Sequence, residues 1–185
     1  MPTALLLLSE GAEEMETVIA ADVMRRGEID VTVAGLAGAD PVLCSRNVKV
    51  VPDAALADVA GKSFDAVVLP GGGKGAQNLC ESAEVGKILQ RFEKEEKLIA
   101  CVCAGPTALI SHGILKGKKL TSHPSVKDKL VAAGYAYQEE RVVVDGNLIT
   151  SRAPGTSMEW GLAIVEYLQG KEKRDSLVPP LVMKE

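Results

Sequence analysis

The chain has 185 residues, of which 46% are hydrophobic and 25% are charged, and its formal net charge is −4 at pH 7. This composition is typical of a soluble globular protein, and the length predicts one domain over residues 1–185 with a core of its own. The acidic excess excludes the basic footprint of a nucleic-acid-binding protein, and no apolar stretch approaches the ~18 residues of a membrane span.

The first half of the chain predicts a βαβ unit with strands at Ala4–Leu8 and Asp30–Gly35. Between these strands, Met15, Val18 and Val23 recur at helical spacing behind acidic residues, which predicts a helix over 13–26. The crossover of such a unit is right-handed in nearly all proteins. The elements predicted next are a hairpin with strands at 42–44 and 48–52, a helix over 54–60 and a buried strand over 66–70.

The second half continues the alternation of helices and strands. After a glycine loop over 71–75, Ser82 is a predicted N-cap, and Thr156 with Glu159 forms a predicted capping box. The residues Asp145-Gly146-Asn147 predict a hairpin turn. The predicted helices cover 82–96, 106–111, 125–133, 157–169 and the tail from 171 to the prolines at 179 and 180; the predicted strands cover 98–102, 119–121, 141–144 and 148–151.

This alternation predicts an α/β fold, a three-layer α/β/α sandwich with a mostly parallel sheet. In an open sheet of this kind, ligands gather beyond the carboxyl ends of the strands. Three features fall at that edge: acidic residues that include Glu16 after the first strand, the glycine loop after the strand at 66–70, and Cys103 after the strand at 98–102. We therefore predict the functional site there.

Cys103 lies where the buried strand Leu98–Val102 turns abruptly into a helix. Ala104 and Gly105 permit a tight turn, and Pro106 favours the first turn of a helix. The same geometry places the nucleophile at the corner of a strand–turn–helix elbow, where backbone N–H groups and the helix dipole favour a thiolate. The alternative is an ordinary buried thiol, which most free cysteines are.

An acid and two backbone donors complete the predicted site. Two anions do not share a dry site cheaply, so a half-buried Glu16 beside a thiolate has a raised pKa, and its proton is available to the sulfur or to a substrate oxygen. The glycine loop lacks the Gly-Lys-Ser/Thr ending of a P-loop. We expect it to offer one N–H to an oxyanion and Ala104 to offer another. The alternative for the glycine loop is a plain tight turn. The alternative for the acidic residue is a charge in the first turn of a helix that complements the helix dipole.

His123 is one of only two histidines and directly precedes Pro124. A cysteine nucleophile benefits from an imidazole within reach, which makes His123 a candidate catalytic residue. The alternative is a surface histidine in a loop. His112, on the helix after the elbow, is the weaker candidate of the two.

The four cysteines do not form the pattern of a disulfide scaffold, because the chain is neither short nor rich in cysteine and shows no secretory signal. This predicts free thiols in a reducing, cytoplasmic compartment. A zinc site needs about four ligands, and Cys101 and Cys103 have only the two histidines to add. We therefore predict neither a metal nor a cofactor.

Six motifs in this order resemble the family of the Parkinson-disease-associated protein deglycase, within the ThiJ/PfpI superfamily. The resemblance covers nearly the full length, and a series of motifs in the right order is more specific than any one of them. The motifs are Gly11–Thr17, Val33–Gly38, Leu69–Gly72, Gly75–Leu79, Cys103–Ala108 and Ser151–Ser157.

The resemblance implies a flavodoxin-like fold of the class I glutamine amidotransferase type and a homodimer. It implies that Cys103 is the reactive cysteine, Glu16 its protonated partner, Gly72 and Ala104 the backbone donors, and His123 the nearby histidine. The implied activities are glutathione-independent glyoxalase action on small α-oxoaldehydes such as methylglyoxal and removal of adducts from glycated amines and thiols. The implied compartments are the cytoplasm, the nucleus and the mitochondrion.

Three classes of function remain open from the sequence. The first is an enzyme in which Cys103 adds to an α-oxoaldehyde. The second is a non-enzymatic redox sensor and chaperone whose Cys103 sulfinate switches partner binding, with Cys101 as a candidate resolving thiol. The third, an amidotransferase or PfpI-like protease, fits less well, because no histidine follows His123 to complete a late His–Glu pair.

Overall fold

The computed structural model describes residues 1–184, and eleven strands lie within that range. The apolar runs predicted as strands at 4–8, 66–70 and 98–102 are strands, and their side chains are almost wholly buried. The strands are β1 (Thr3–Leu8), β2 (Asp30–Gly35), β3 (Val42–Leu43), β4 (Lys49–Val50), β5 (Ala54–Ala55), β6 (Ala66–Leu69), β7 (Leu98–Val102), β8 (Lys119–Leu120), β9 (Ala136–Tyr137), β10 (Val142–Asp145) and β11 (Leu148–Ser151).

Eight α-helices and two short 3-10 turns connect these strands in the described range. Among residues 1–184, no helix has both the length and the apolar character that crossing a membrane requires. The helices are α1 (Glu14–Arg26), α2 (Leu56–Val59), α3 (Gly73–Glu81), α4 (Ala83–Lys94), α5 (Thr107–His112), α6 (Lys127–Ala132), α7 (Ser157–Gln169) and α8 (Lys171–Leu181); the 3-10 turns are Pro124–Val126 and Pro154–Thr156.

Seven strands form the central sheet in the order β10-β11-β7-β6-β1-β2-β5. Neighbours pair in parallel except β10 with β11, which form the hairpin that Asp145-Gly146-Asn147 predicts. β1 lies between β2 and β6. The chain first adds β2 and β5 on one side of β1 and then adds β6, β7, β11 and β10 on the other side. Such a switch point, beyond the carboxyl ends of β1 and β6, is where open α/β sheets bind ligands.

Helices cover both faces of the sheet, which confirms the predicted α/β sandwich. Alternate residues of β1 enter different cores: Leu5 and Leu7 pack under α3, α4 and α5, whereas Leu6 and Leu8 pack under α1 and α7. Because both faces are buried, the strand needs a continuous apolar run rather than an alternating pattern. The two cores together hold the carboxyl ends of β1, β6 and β7 in one rigid edge.

Three element predictions are wrong in part, because tertiary contacts override local signals. Ala54–Ala55 is not helical but pairs with β2 as an edge strand, and only the residues after it form α2. The glycine loop is shorter than expected, since Gly73 and Gly75 already belong to α3, whose Leu79 is buried in the core. The tail helix does not end before its prolines: α8 runs through them to Leu181.

The capping box predicted at Thr156 does not form. The Thr156 hydroxyl oxygen instead accepts hydrogen bonds from the N–H groups of Arg152 and Ala153, both at 3.1 Å. Glu159 pairs with Arg141 at 2.9 Å on the surface. α7 nevertheless begins at the predicted residue, because the preceding 3-10 turn leads directly into it.

The helical periodicity of α1 identifies its buried face only in part: of the residues in the predicted stripe, Val23 is buried but Met15 and Val18 are not. Met15 and Val18 are about half exposed, at 54% and 50%, whereas Glu16, Ala20 and Val23 are buried. α1 packs its buried face against α7 and the sheet. Met15 lines the cleft beside Ser45 and Arg46 of the β3–β4 turn, and Val18 lines a surface pocket beside Val50 and Val51.

Candidate active site

Cys103 forms the corner between β7 and α5, and its φ of +61° is one that residues other than glycine rarely adopt. The turn is tight: a Cβ on Gly105 would lie 2.7 Å from the Leu69 carbonyl oxygen. Both backbone groups of Cys103 are held, because its N–H donates to the Ser151 carbonyl at 3.2 Å and its carbonyl accepts from the His123 N–H at 2.9 Å. The thiol therefore projects from a rigid elbow.

Glu16 is the acid beside this thiol. Its side chain is fully buried in the first turn of α1, and Oε2 accepts a 2.7 Å hydrogen bond from the Gly71 N–H. The carboxyl lies close enough to the Cys103 thiol for each group to shift the pKa of the other, while Oε1 has no hydrogen-bond partner among the described residues. A Cβ on Gly71 would lie 2.6 Å from the Cys103 Cβ and 2.8 Å from Glu16 Oε2, so the pairing of acid and thiol requires glycine there.

The acid and the thiol disfavour ionisation of one another. Burial raises the pKa of Glu16 to about 7, although the hydrogen bonds from Gly71 and Cys103 act to lower it. Burial likewise raises the pKa of Cys103 to about 12, and the charge of an ionised Glu16 adds to that rise. The elbow alone therefore does not produce the thiolate that the sequence predicts. Protonation of Glu16 removes the repulsion between the two charges, so ionisation of Cys103 then costs less free energy.

The N–H groups of Gly72 and Ala104 lie near the Cys103 sulfur and act to lower its pKa. Gly72 has a φ of +84°, and a Cβ there would lie 2.3 Å from the Gly11 carbonyl oxygen. Gly72 follows β6 and Ala104 follows β7, so the two neighbouring strands deliver the two donors. The two donors predicted for an oxyanion thus lie beside the sulfur. From there they can also stabilise negative charge on an oxygen of a group bonded to the sulfur.

His123 lines the same cleft as Cys103. Its Nδ1 accepts a hydrogen bond from the Ser125 N–H at 3.2 Å and lies 2.8 Å from the Ser125 hydroxyl. Because Nδ1 is an acceptor, the neutral ring carries its proton on Nε2. His112 lies elsewhere, with its Nε2 2.9 Å from the Leu79 carbonyl oxygen.

Comparison with known proteins agrees with this geometry. A model described as the DJ-1/PfpI family matches residues 2–167. The chain belongs to the DJ-1/PfpI family. It is 54% identical to the Parkinson disease protein 7 homolog of Danio rerio over 184 residues, which cover 98% of this chain and 97% of that protein. The resemblance inferred from the sequence motifs is confirmed.

Two further members of the family are similar over nearly their full length. The glutathione-independent glyoxalase DJR-1.2 of Caenorhabditis elegans is 43% identical over 182 residues, which cover 98% of this chain and 96% of that protein. The crystal structure of Drosophila melanogaster DJ-1beta superposes with a TM-score of 0.97 at 51% identity, covering 100% of this chain and 99% of that one. The sandwich described above is therefore the DJ-1/PfpI fold.

The cleft that begins at Cys103 has a volume of about 1060 Å³. One wall comes from α3 and α5, and the other from the segment that includes α6; its lining is partly apolar, with Ala76, Ile110 and Val126, and partly polar, with Lys129. In the described part of the chain, no three His, Cys, Asp or Glu side chains group in a way that could hold a metal ion.

The sequence prediction misses the roles of two residues at the site. The first is Gly71, which it places in the glycine loop without the hydrogen bond to Glu16; the only signal is a run of three glycines after a buried strand. The second is Glu14, whose carboxylate accepts hydrogen bonds from the Ser45 hydroxyl at 2.8 Å and the Arg46 N–H at 2.7 Å. Ser45 and Arg46 line the cleft, so Glu14 holds part of its wall. No local pattern marks such a long-range contact.

The cysteines are all free, as predicted, but Cys101 is not placed to resolve an oxidised Cys103. Residues two apart in a strand share a face, yet β7 ends at Val102 and the positive φ of Cys103 turns its side chain. Cys101 is fully buried in the core under α3 and α4, whereas Cys103 packs against the core under α1. The hypothesis of a resolving Cys101 is therefore wrong.

Proposed function

We propose that the chain is a cysteine-dependent, glutathione-independent glyoxalase that converts methylglyoxal and related small α-oxoaldehydes into 2-hydroxy acids. The observation that carries the proposal is the buried Glu16 carboxyl, which accepts a hydrogen bond from the Gly71 N–H and lies beside Cys103 at the elbow. The name of the nematode relative supports the same activity.

The first step is addition of the sulfur to the aldehyde carbon. With Glu16 protonated, the Cys103 thiolate forms a C–S bond, and the aldehyde oxygen takes the Glu16 proton to give a hemithioacetal. The N–H groups of Gly72 and Ala104 lie beside the sulfur and stabilise the oxygen while it carries negative charge. Glu16 is left ionised, next to a sulfur that is now neutral.

The second step moves a proton between the two carbons. The ionised Glu16 takes the proton of the carbon bonded to sulfur and returns it to the neighbouring carbon, while the Nε2 proton of His123 hydrogen-bonds the former ketone oxygen. The hydroxyl proton passes from one oxygen to the other, which leaves a thioester of the hydroxy acid on Cys103. Water then hydrolyses the thioester and restores the thiol.

Turnover of methylglyoxal by the wild type, Cys103→Ser and Glu16→Gln tests this proposal. We expect Cys103→Ser to be inactive and Glu16→Gln to lose about 10²-fold or more, the usual contribution of a positioned acid–base group. Glu84→Gln, on the exposed side of α4, is a matched control and should retain full activity. An inactive wild type, or equal activity in all variants, contradicts the enzyme proposal.

We propose that the same site also accepts glycated amines and thiols. The cleft of about 1060 Å³ is at the upper end of ligand sites and leaves room for a carrier attached to the three-carbon adduct. Release of amine from a glycated peptide, in the presence of an excess of a hydrazine that traps free aldehyde, separates direct deglycation from scavenging. Release that stops when the trap is added contradicts direct action.

The second candidate is a redox sensor and chaperone that uses Cys103 without turnover. Stepwise attack by the sulfur on two peroxide molecules gives a sulfenate and then a sulfinate, with release of water at each step. The free Oε1 of a protonated Glu16 and the two N–H groups around the sulfur favour this anion. Peroxide treatment followed by mass spectrometry should show sulfinate in the wild type and less of it in Glu16→Gln. Equal sulfinate yields in the two proteins contradict this role of Glu16.

We also propose a homodimer formed through the α1–hairpin face, defined by Met15, Val18, Leu43, Val48 and Val51. These five apolar side chains are 42–66% exposed around one end of α1 and the β3–β4 hairpin. Apolar surfaces of this kind are typical of protein interfaces. In sedimentation experiments Val18→Lys should be monomeric, whereas Val144→Lys, at an equally exposed valine on β10, should sediment as the wild type. A dimeric Val18→Lys contradicts this interface.

A further inference from the structure

Two side chains outside the cleft hold the segment that leads into His123. The carbonyl of the fully buried Ser122 accepts hydrogen bonds from Arg152 Nε at 3.1 Å and from the Tyr137 hydroxyl at 3.0 Å. Two donors on one buried carbonyl use both of its lone pairs. The peptide bond between Ser122 and His123 therefore has little freedom to rotate.

The same segment is hydrogen-bonded to the nucleophile elbow. The His123 N–H donates to the Cys103 carbonyl at 2.9 Å, and the Cys103 N–H donates to the Ser151 carbonyl at 3.2 Å. Because Ser151 is bonded directly to Arg152, the contacts close a ring from Cys103 through Ser151, Arg152, Ser122 and His123 back to Cys103. Cys103 needs such support, since its φ of +61° is unfavourable for a residue with a side chain.

Arg152 and Tyr137 are placed to act through this ring rather than on a substrate. The Arg152 guanidinium faces Glu139, with Nη2 3.3 Å from the carboxylate oxygen Oε2. The Tyr137 hydroxyl is directed at Ser122. Within residues 1–184, neither Arg152 nor Tyr137 lines the cleft.

We propose that Arg152 and Tyr137 are positioning residues for the reaction at Cys103, and that they act by fixing the Ser122 carbonyl. The kinetic part of this inference rests on the proposed function, whereas its structural part does not. Without the Tyr137 hydroxyl, one donor remains on Ser122 and the peptide can tilt. The His123 ring then samples orientations that turn its Nε2 proton away from the substrate oxygen.

A comparison of Tyr137→Phe with Tyr135→Phe tests the proposal. Tyr135 is a matched control, because its hydroxyl also donates to a buried backbone carbonyl, that of Ile114, but away from the elbow. We expect Tyr137→Phe to lower kcat for methylglyoxal about tenfold with little change in KM, because misplaced catalytic groups slow the chemical step. Tyr135→Phe should lower stability and leave kcat unchanged. Arg152→Lys should retain more activity than Arg152→Met.

Two readouts are independent of turnover. The chain has only two histidines, so the NMR signals of the His123 ring can be followed with His112 as an internal reference. Tyr137→Phe should shift or broaden the His123 signals, leave the His112 signals in place and change the rate at which iodoacetamide alkylates Cys103.

Unchanged His123 signals and an unchanged alkylation rate in both Tyr137→Phe and Arg152→Met would overturn the positioning role. An equal loss of kcat in Tyr137→Phe and Tyr135→Phe would also overturn it, since general destabilisation then explains the effect. A wild type without turnover overturns only the proposed function, because the NMR and alkylation measurements still decide the positioning role.

Discussion

The first turn of α1 carries two buried carboxyl groups that face different regions and have opposite pKa shifts. Glu14 faces the loop between β3 and β4, where Ser45 and Arg46 donate hydrogen bonds to it. Burial acts to raise the pKa of Glu14, but these and other hydrogen bonds outweigh it, and the pKa lies below its usual value. Glu16 faces the elbow, where the Gly71 N–H donates a hydrogen bond to it beside the Cys103 thiol, and burial raises its pKa to about 7.

Burial alone does not decide the charge of a carboxyl group in this protein. Both acids lie at the same helix N-terminus, so the helix dipole does not distinguish them. The depth of burial and the number of hydrogen-bond donors both do, because burial has the largest effect on the pKa of Glu16 whereas the donors to Glu14 outweigh its burial. Glu14 is thus an anion that holds one wall of the cleft. Glu16 is a carboxyl group that can hold a proton beside the Cys103 sulfur.

The largest expected effect comes from Gly71→Ala, which disturbs the surroundings of Glu16 and leaves those of Glu14 unchanged. The added methyl group would lie 2.6 Å from the Cys103 Cβ and 2.9 Å from the Ala104 nitrogen, so acid, thiol and donor must move apart. We expect a loss of methylglyoxal turnover of about 10²-fold or more and a destabilisation of about 3 kcal/mol.

Gly73→Ala is the matched control for this change, because a Cβ there meets nothing within 4 Å. Steady-state kinetics and urea denaturation of both variants provide the measurement. Equal activity of the two variants would show that the glycine at 71 is not needed for the pairing of acid and thiol.

The next effect is a pH dependence of stability that Glu16→Gln should remove. A carboxyl group whose pKa is raised on folding binds its proton more tightly in the native state, so its contribution to stability falls as pH rises from 4.5 to about 7. A rise of this size corresponds to about 3 kcal/mol at most. Glu16→Gln should therefore gain stability relative to the wild type between pH 5 and pH 8, although it loses turnover. A stability difference that is the same at both pH values in urea denaturation contradicts the raised pKa.

Glu14→Gln should show the opposite dependence on pH, with a smaller amplitude. The pKa of Glu14 is lowered on folding, so its stabilising contribution is present above its unfolded pKa and is lost as pH falls. At pH 7 we expect the variant to lose about 2 kcal/mol, because its amide replaces a charged acceptor of the Ser45 and Arg46 hydrogen bonds. The loss should shrink at pH 4. Denaturation curves at the two pH values check this, and a loss that grows towards low pH contradicts it.

The strands could be predicted wherever both faces of the sheet are buried, because such a strand needs a continuous apolar run, as in Leu98–Val102. The fold could not be predicted where packing overrides propensity. Gly73 and Gly75 disfavour a helix by themselves, and α3 forms because its Leu79 side is buried in the core. Periodicity identifies an apolar stripe on α1 but does not show which other elements cover that stripe. The exposure of Val18 could therefore not be predicted.

The candidate site divides in the same way. Cys103 could be predicted because adjacent residues define the elbow, and Glu16 because it lies in the first turn of a helix at the carboxyl edge of the sheet. The hydrogen bond between Gly71 and Glu16 joins residues 55 positions apart, and nothing local encodes it. The pKa of Cys103 could not be predicted either, since it depends on how deeply the fold buries the thiol beside an acid.

The smallest effect is expected at Cys101, the thiol that shares a strand with the elbow but not its environment. Cys101 is fully buried, and burial raises the pKa of its thiol far above the usual value, so it is not a nucleophile. Cys101→Ala should cost about 1 kcal/mol for the small cavity and leave turnover and the peroxide product at Cys103 unchanged. Peptide mapping of the peroxide-treated wild type should show no bond between Cys101 and Cys103. Detection of that bond would mean that the β7 end opens during oxidation, and the rigid elbow described above would not hold.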